Sequence, residues 1–285
     1  MNSNVFHHTD LSEEDIRSFQ PEMKIGLVAT VNPQGLPHVT LLSTVMASDS
    51  KKLVFGQFTE GLSKKYIQQN PKVGFLVMSL DKNEWRGKAL FTHTAKDGKD
   101  YDFYNNVPMF RYNAYFGVHT VYYLDLVGHS GKHALPMNNI ILSAIKTMIG
   151  RSLAARREKQ AILNPWSQAF LNKLDNLKFL SYVDTDGYPV IIPAIQAQCL
   201  DREHVVFDTG VFQDELLCIP KGVPLAVFAM ALTMEDVLLR GEYKGIQRIG
   251  GFKQGLVKLD YVYNPMPPVP GQVYPQVPIR QVEQY

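Results

Sequence analysis

The chain has 285 residues, 45% hydrophobic and 20% charged, proportions that suit a globular protein long enough for two domains. Its 29 Lys and Arg against 27 Asp and Glu leave a net charge of +2, which gives no reason to expect nucleic acid or an anionic membrane as partner. Cys199 and Cys218 lack zinc or redox spacing, no segment carries the roughly 20 apolar residues of a membrane span, and the N-terminus has no signal-peptide pattern, so a cytoplasmic setting is expected.

In chain order, strands are expected over 24–31, 37–47, 52–58, 72–80, 85–95 and 116–127. Asn32-Pro-Gln-Gly35 carries hairpin-turn chemistry, with Gly supplying positive φ. After Phe58 comes Thr59-Glu-Gly-Leu-Ser63-Lys64-Lys65, which reads as a helix start. Hydroxyls from Thr59 and Ser63, charge from Lys64 and Lys65, and the exposed N–H groups of a helix N-terminus together make a receptor for a phosphate monoester. Val73–Leu80 is continuously apolar, as in a strand buried on both faces. Tyr101 to Phe116 is rich in aromatics and reads as a lid or as interface packing. His129-Ser-Gly-Lys-His133 reads as a polar loop rather than a metal site.

A helical connector is expected over 135–176. Ile141, Ile145, Met148 and Ile149 follow helical spacing, with Gly150 as a stop. A charged piece spans 152–163 and reads as a solvated helix face. Asn164-Pro165 starts a third helix bearing Trp166, Phe170 and Leu174. Strands resume over 177–183, 189–199, 204–208, 224–232, 236–245 and 254–262. From Asn264 the Pro-rich tail should be extended and polyproline-like.

The two sets of strands repeat each other. Leu27-Val-Ala-Thr-Val31-Asn-Pro-Gln-Gly35-Leu-Pro37 lies over Phe179-Leu-Ser-Tyr-Val183-Asp-Thr-Asp-Gly187-Tyr-Pro189. The same offset puts Asp49 on Asp201 and Phe55 on Phe207. Trp85-Arg86-Gly87 aligns with Leu239-Arg240-Gly241 after a two-residue shift, and Tyr123-Leu124-Asp125 resembles Lys258-Leu259-Asp260. The fold class is mainly β with helices: a first barrel over 1–134, the connector over 135–176, a second, degenerate barrel over 177–263 and a tail over 264–285.

With Gly35-Leu-Pro-His-Val-Thr40, Thr59…Ser63-Lys64-Lys65, Asn70-Pro71 and Arg86-Gly87-Lys88-Ala89 in this order, the chain resembles the FMN-binding split-barrel family related to pyridoxamine 5′-phosphate oxidase. The resemblance covers 24–127, extends more weakly to 177–262, and so implies a tandem pair of split barrels. It implies FMN phosphate against Ser63, Lys64 and Lys65 with Thr59 helping, and Thr40 and Ser43 reaching the phosphate or ribityl chain. The isoalloxazine ring would lie along Leu41, Gln57 and Phe58. The family's oxidase has an arginine at Thr40's place, an Arg-Lys pair at Lys64-Lys65, and a basic C-terminal segment that is not found here. Vitamin B6 oxidation is therefore not expected, while flavin binding is.

In the second copy Thr209-Gly-Val-Phe-Gln-Asp214-Glu215 replaces the Ser-Lys-Lys segment, and its carboxylates would repel a phosphate. One cofactor site per chain is expected, with the pairing of barrels either internal or across a homodimer. His38 reads as a packed strand histidine, and Arg86 and Arg240 as ligand contacts or braces of the sheet edge. No serine elbow, phosphate loop or dinucleotide Gly fingerprint occurs. The expected activity is an FMN-dependent oxidoreductase acting on a small molecule, with NADH or NADPH as donor. The alternatives are a non-catalytic flavin carrier, or a related barrel that binds haem or deazaflavin.

Overall fold

The computed structural model describes residues 5–20, 23–58, 61–107, 117–155, 158–266 and 270–278. Two compact units emerge. The first runs to Leu135 and takes in Val183–Ile191; the second holds Pro136–Tyr182 and the chain from Ile192 on.

A short helix, α1 (Glu13–Phe19), opens the first unit, its N-terminus closed by a capping box between Ser12 and Asp15. The strands are β1 (Lys24–Val31), β2 (Pro37–Leu41), β3 (Met46–Asp49), β4 (Lys52–Gln57), β5 (Lys72–Ser79), β6 (Asn83–Ala95), β7 (Thr120–His129) and β8 (His133–Ala134). Helix α2 (Leu62–Gln69) links β4 to β5, and α3 (Lys99–Asn106) follows β6. Strand order is β2-β1-β5-β6-β7-β4-β3, with β8 added to β6. Every residue of β1 is buried, as a strand covered on both faces requires.

The sheet order and the chain length between β2 and β3 force closure. These strands lie at opposite ends of the sheet, yet only residues 42–45 join them. A five-step link reaches at most about 18 Å. Seven strands laid flat at about 4.8 Å spacing would hold the two ends roughly 29 Å apart. The sheet therefore curls into a barrel. The corner is fixed by Leu42 N–H donating to Gly26 O (2.7 Å) and Val45 N–H to Leu42 O (3.1 Å). Thr44 Oγ1 donates to Gly56 O (3.0 Å) and accepts from Gly56 N–H (3.2 Å).

The remaining strands are β9 (Leu177–Val183), β10 (Pro189–Pro193), β11 (Gln198–Cys199), β12 (His204–Asp208), β13 (Pro224–Met230), β14 (Asp236–Ile249), β15 (Phe252–Asn264) and β16 (Gly271–Tyr274). Their order, β10-β9-β13-β14-β15-β12-β11, repeats the first sheet strand for strand, with β16 paired to β15. Both hairpin turns match: Gly35 N–H donates to Asn32 O and Gly187 N–H to Asp184 O, each glycine at positive φ (76° and 81°). The second corner uses the same bonds, Ala194 N–H to Lys178 O (2.8 Å) and Ala197 N–H to Ala194 O (2.8 Å). Gln196 Nε2 donates to Asp208 O (2.9 Å), doing there what Thr44 does in the first copy. The fold is thus two tandem split barrels.

Several expectations need correction. The 37–47 and 189–199 segments each break into two strands at the corner. In the connector, α4 (Met137–Leu153) runs past Gly150, and α5 (Pro165–Asn172) forms with Asn164 as its N-cap. Between them, the described residues of the 152–163 piece are not helical beyond Leu153. The tail is not wholly polyproline-like, because Gly271–Tyr274 forms β16.

The ladders also remove the two-residue shift between copies. Leu76 pairs Arg86 and Phe228 pairs Leu238, while Gly74 pairs Lys88 and Ala226 pairs Arg240. A bulge follows Lys88 in one copy and Arg240 in the other. Arg240 therefore matches Lys88, and Arg86 matches Leu238. Likewise Leu124 pairs Leu53 and Val257 pairs Val205, so Leu124 matches Val257 rather than Leu259.

This register explains an electrostatic difference. In the first barrel Arg86 Nε donates to both oxygens of Glu84 (3.0 and 2.8 Å), and both residues are buried. In the second barrel Asp236 takes the place of Glu84, but the arginine has become Leu238. Asp236 is buried, its Oδ1 lacks a hydrogen-bond partner, and burial pushes its pKa up to about 7.

At the N-terminal side of the first unit, His8 and His129 exchange backbone hydrogen bonds (3.1 and 2.8 Å). The His129 ring is neutral: Nε2–H donates to Asp10 O (3.0 Å) and Nδ1 accepts Gly131 N–H (3.1 Å). Burial holds its pKa below the ordinary value, against the opposing pull of Asp10 and Asp15.

Two predictions follow from these groups. Below about pH 4 Asp236 is protonated in folded and unfolded chains alike; as pH rises to 7 only the unfolded chain ionises freely, so the carboxyl costs stability. Asp236→Asn should raise the thermal midpoint at pH 7.5, with the gain fading near pH 4; an equal gain at both would refute the assignment. For His129 the window is different. As pH falls below about 6.5 the unfolded chain takes up a proton that the folded ring resists, and stability is lost. The drop in midpoint from pH 7.5 to 5.5 should therefore be smaller in His129→Gln than in the parent chain.

Candidate cofactor site

Helix α2 begins at Gly61, which is extended (φ −146°) and makes no side-chain cap. Its first turn contains no acidic residue. Within that turn the N-terminal N–H groups have no carboxylate, the condition under which a helix start attracts an anion; Glu60, before the cap, lies outside the described residues. Ser63 and Lys64, in that first turn, are both buried. Thr40, partly buried on β2 and paired with Val28, joins its Oγ1 to Ser63 Oγ in a direct hydrogen bond. Two hydroxyls therefore meet at the start of α2, and a buried lysine follows Ser63 in the same turn. On the same side of the helix, Tyr66 presents its ring edge-on to His38 at 5.3 Å, and His38 is a buried strand residue.

The remaining candidates take separate places. Lys65 is exposed. Consecutive helical residues point about 100° apart, so with Ser63 turned to Thr40, Lys65 lies roughly 200° around the helix from that contact. Leu41 ends β2 opposite Leu27. Ser43 lies in the corner beside Thr44, whose bonds to Gly56 bring that corner to the end of β4, next to Gln57. Gln57 Oε1 accepts the Tyr122 hydroxyl (2.9 Å), and its carbonyl accepts His119 N–H (3.0 Å). Phe58 packs against the cluster of Met46, Val54, Tyr104, Val107, Val118 and Val121. Thr59 lies outside the described residues.

Sequence reading misses Thr44 as the bond that seats the corner; its signal is only positional, since Gln196 occupies the same point of the second copy. It also misses the part played by Tyr104. That hydroxyl donates to Thr44 O (2.5 Å) and Val54 O (3.2 Å), so α3 is fastened to the corner. Phe110, Tyr112, Tyr115 and Phe116 of the aromatic stretch lie outside the described residues.

The second copy differs at the corresponding place. Its helix α6 (Gln213–Cys218) has six residues, starts from Phe212 in the left-handed region, and carries Asp214 and Glu215 in its first turn. Asp208, at the position of Gly56, accepts the Ser143 hydroxyl (2.8 Å) and Gly210 N–H (2.9 Å). Arg240 lies over the Tyr261 ring at 4.2 Å. Among the described residues no group of His, Cys, Asp or Glu forms a metal site, the His129–His133 loop included.

Residues 12–113 match the family model described as pyridoxamine 5′-phosphate oxidase. No curated protein matches the chain. Among solved structures, a putative pyridoxamine 5′-phosphate oxidase from Lactobacillus delbrueckii is 20% identical, with 43% of this chain and 95% of that one covered and a TM-score of 0.34. An F420 reductase is 20% identical, with 42% and 98% covered and a TM-score of 0.34. An FMN-binding protein from Syntrophomonas wolfei is 12% identical, with 36% and 74% covered and a TM-score of 0.32. The first barrel carries the match to the pyridoxamine 5′-phosphate oxidase family model over residues 12–113, and the second sheet repeats its strand order.

Proposed function

We propose that the first barrel binds FMN and that the protein is an oxidoreductase acting on a small molecule, with NADH or NADPH as donor. The observation that carries this reading is the Thr40–Ser63 contact at the uncapped start of α2, with Lys64 buried in the same turn. Hydroxyl donors, a buried cationic side chain and helix N–H groups are a donor set for a phosphate dianion, and they fit the terminal group of FMN. The family match over 12–113 supports a flavin in place of an unrelated phosphate ester.

Within this reading Lys64 and Ser63 hold the phosphate and Thr40 orients Ser63. The corner residues Leu41 and Ser43 and the strand end Gln57–Phe58 line the ring. When bound, the flavin supplies hydride or electron transfer, and the chain's part is placement and control of solvent access. Thr40 stands where the family's oxidase has arginine, so pyridoxamine phosphate is not assigned as substrate.

The purified protein should be yellow, with the two visible bands of a flavin. A sharp Soret band would indicate haem, and a single violet band with strong fluorescence would indicate deazaflavin. Ser63→Ala combined with Lys64→Gln should abolish flavin retention in a chain that still unfolds cooperatively, at a somewhat lower thermal midpoint because both residues are buried, while Lys65→Glu, on the exposed side, should weaken retention far less. Full flavin content in the double variant would sink the phosphate assignment. Bleaching by NADH or NADPH under nitrogen tests turnover.

A further inference from the structure

Helix α4 is amphipathic in the reverse sense. The side that it buries carries one large apolar residue, Ile140, and is otherwise small or polar: Ser143, Thr147 and Gly150. Ser143 Oγ donates to Asp208 Oδ1 (2.8 Å), Thr147 Oγ1 accepts Asp208 N–H (2.9 Å), and Gln254 Nε2 donates to Lys146 O (3.1 Å). Gly150 allows the closest approach: a Cβ there would stand 2.3 Å from Gln254 Nε2. The side turned outward carries Ile141, Leu142, Ile145, Met148, Ile149 and Leu153, each 40–68% exposed. A helix on a lone globular body places these two sides the other way round.

The stripe follows the helix from 141 to 153, about 18 Å at 1.5 Å per residue. It exposes on the order of 500 Å² of apolar surface, the size at which a patch on a monomer is usually functional. We propose that this face binds the same face of a second copy of the chain, α4 against α4 across a two-fold axis. Two such faces remove about 1,000 Å² from water, the threshold for a specific interface.

Charge favours that occupant. Helix α4 contains no acidic residue; of its two basic ones, Lys146 borders the stripe beside Leu142 and Leu153, and Arg151 is only partly exposed and donates to Cys199 O (3.1 Å). Asn138, Asn139 and Ser152 supply a neutral rim. The centre of the surface is therefore uncharged, and the edge cation Lys146 can keep its ammonium in water. With the two-fold axis perpendicular to the helices the pair is antiparallel, N-terminus beside C-terminus. A helix seated on a bilayer would instead keep a basic face toward water, and here the polar side is spent on the protein's own bonds.

Sedimentation of the full chain at micromolar concentration tests this. The parent chain should be a dimer. Ile145→Asp should weaken dimerisation by about 100-fold or more, since two carboxylates would meet at a desolvated centre. Mixing Ile145→Asp with Ile145→Arg should restore a dimer, and each variant should keep the parent's thermal midpoint because the side chain is exposed. A monomeric parent, a dimer unaffected by Ile145→Asp, or failure of the mixture to pair would overturn the proposal. So would a monomeric parent that sediments with phosphatidylserine vesicles, which would assign the face to a membrane.

Discussion

A four-residue link between the two ends of a seven-strand sheet is the constraint on which both barrels depend. Residues 42–45 are too few to cross a flat sheet, so β2 and β3 can be satisfied only if the sheet rolls up. Closing the sheet is what brings the end of β2 to the end of β4 and to the start of α2. Thr40, Ser63 and the Gln57–Phe58 strand end are neighbours for that reason, although they are distant in sequence. The residues that hold the corner, Thr44 against Gly56 and Tyr104 against Thr44, thus also position the candidate site.

The second copy keeps the closure and discards the chemistry. Its corner bonds and bulge occupy the same places, while its polar groups have been redistributed. Asp236 has outlived the arginine partner that Glu84 retains. Lys178 stands where Gly26 does, fully buried, its Nζ donating to Lys173 O; burial lowers its pKa to about 8. Asp208 spends its carboxylate on Ser143 of α4. Backbone geometry can persist through such changes because it rests on main-chain bonds, whereas the side-chain partners are each independently replaceable.

Much of the fold is legible in the sequence. Strands over 24–31, 177–183 and 204–208 match residue for residue, because each is an apolar run bounded by turn chemistry. The corners are not legible: Leu41-Leu-Ser-Thr-Val45 contains good strand formers and turns without Gly or Pro. Sequence reading gives no helix over 13–19, though Ser12 and Asp15 form its capping box. The alignment of Arg86 with Arg240 follows a local Arg-Gly identity, and only the hydrogen-bond ladder shows that Lys88 is the true counterpart. At the site, the convergence on Ser63 is foreshadowed by the resemblance, but which of two adjacent lysines turns inward depends on helix phase and on where the helix starts.

The hairpin 183–191 is encoded with the second barrel yet counted within the first compact unit. There Lys88 Nζ reaches Asp184 (3.0 Å) and Asp186 (2.7 Å), and Lys72 Nζ sits over the Tyr188 ring at 5.1 Å. Burial alone would raise the Asp184 pKa, but the Lys88 ammonium bonded to it brings it below the ordinary carboxylate range. Severing the polypeptide in the connector would therefore not release two self-sufficient halves. The leading fragment would lose both carboxylates that pair with Lys88 and the Tyr188 ring beside Lys72, and would expose to water the surface that this hairpin covers.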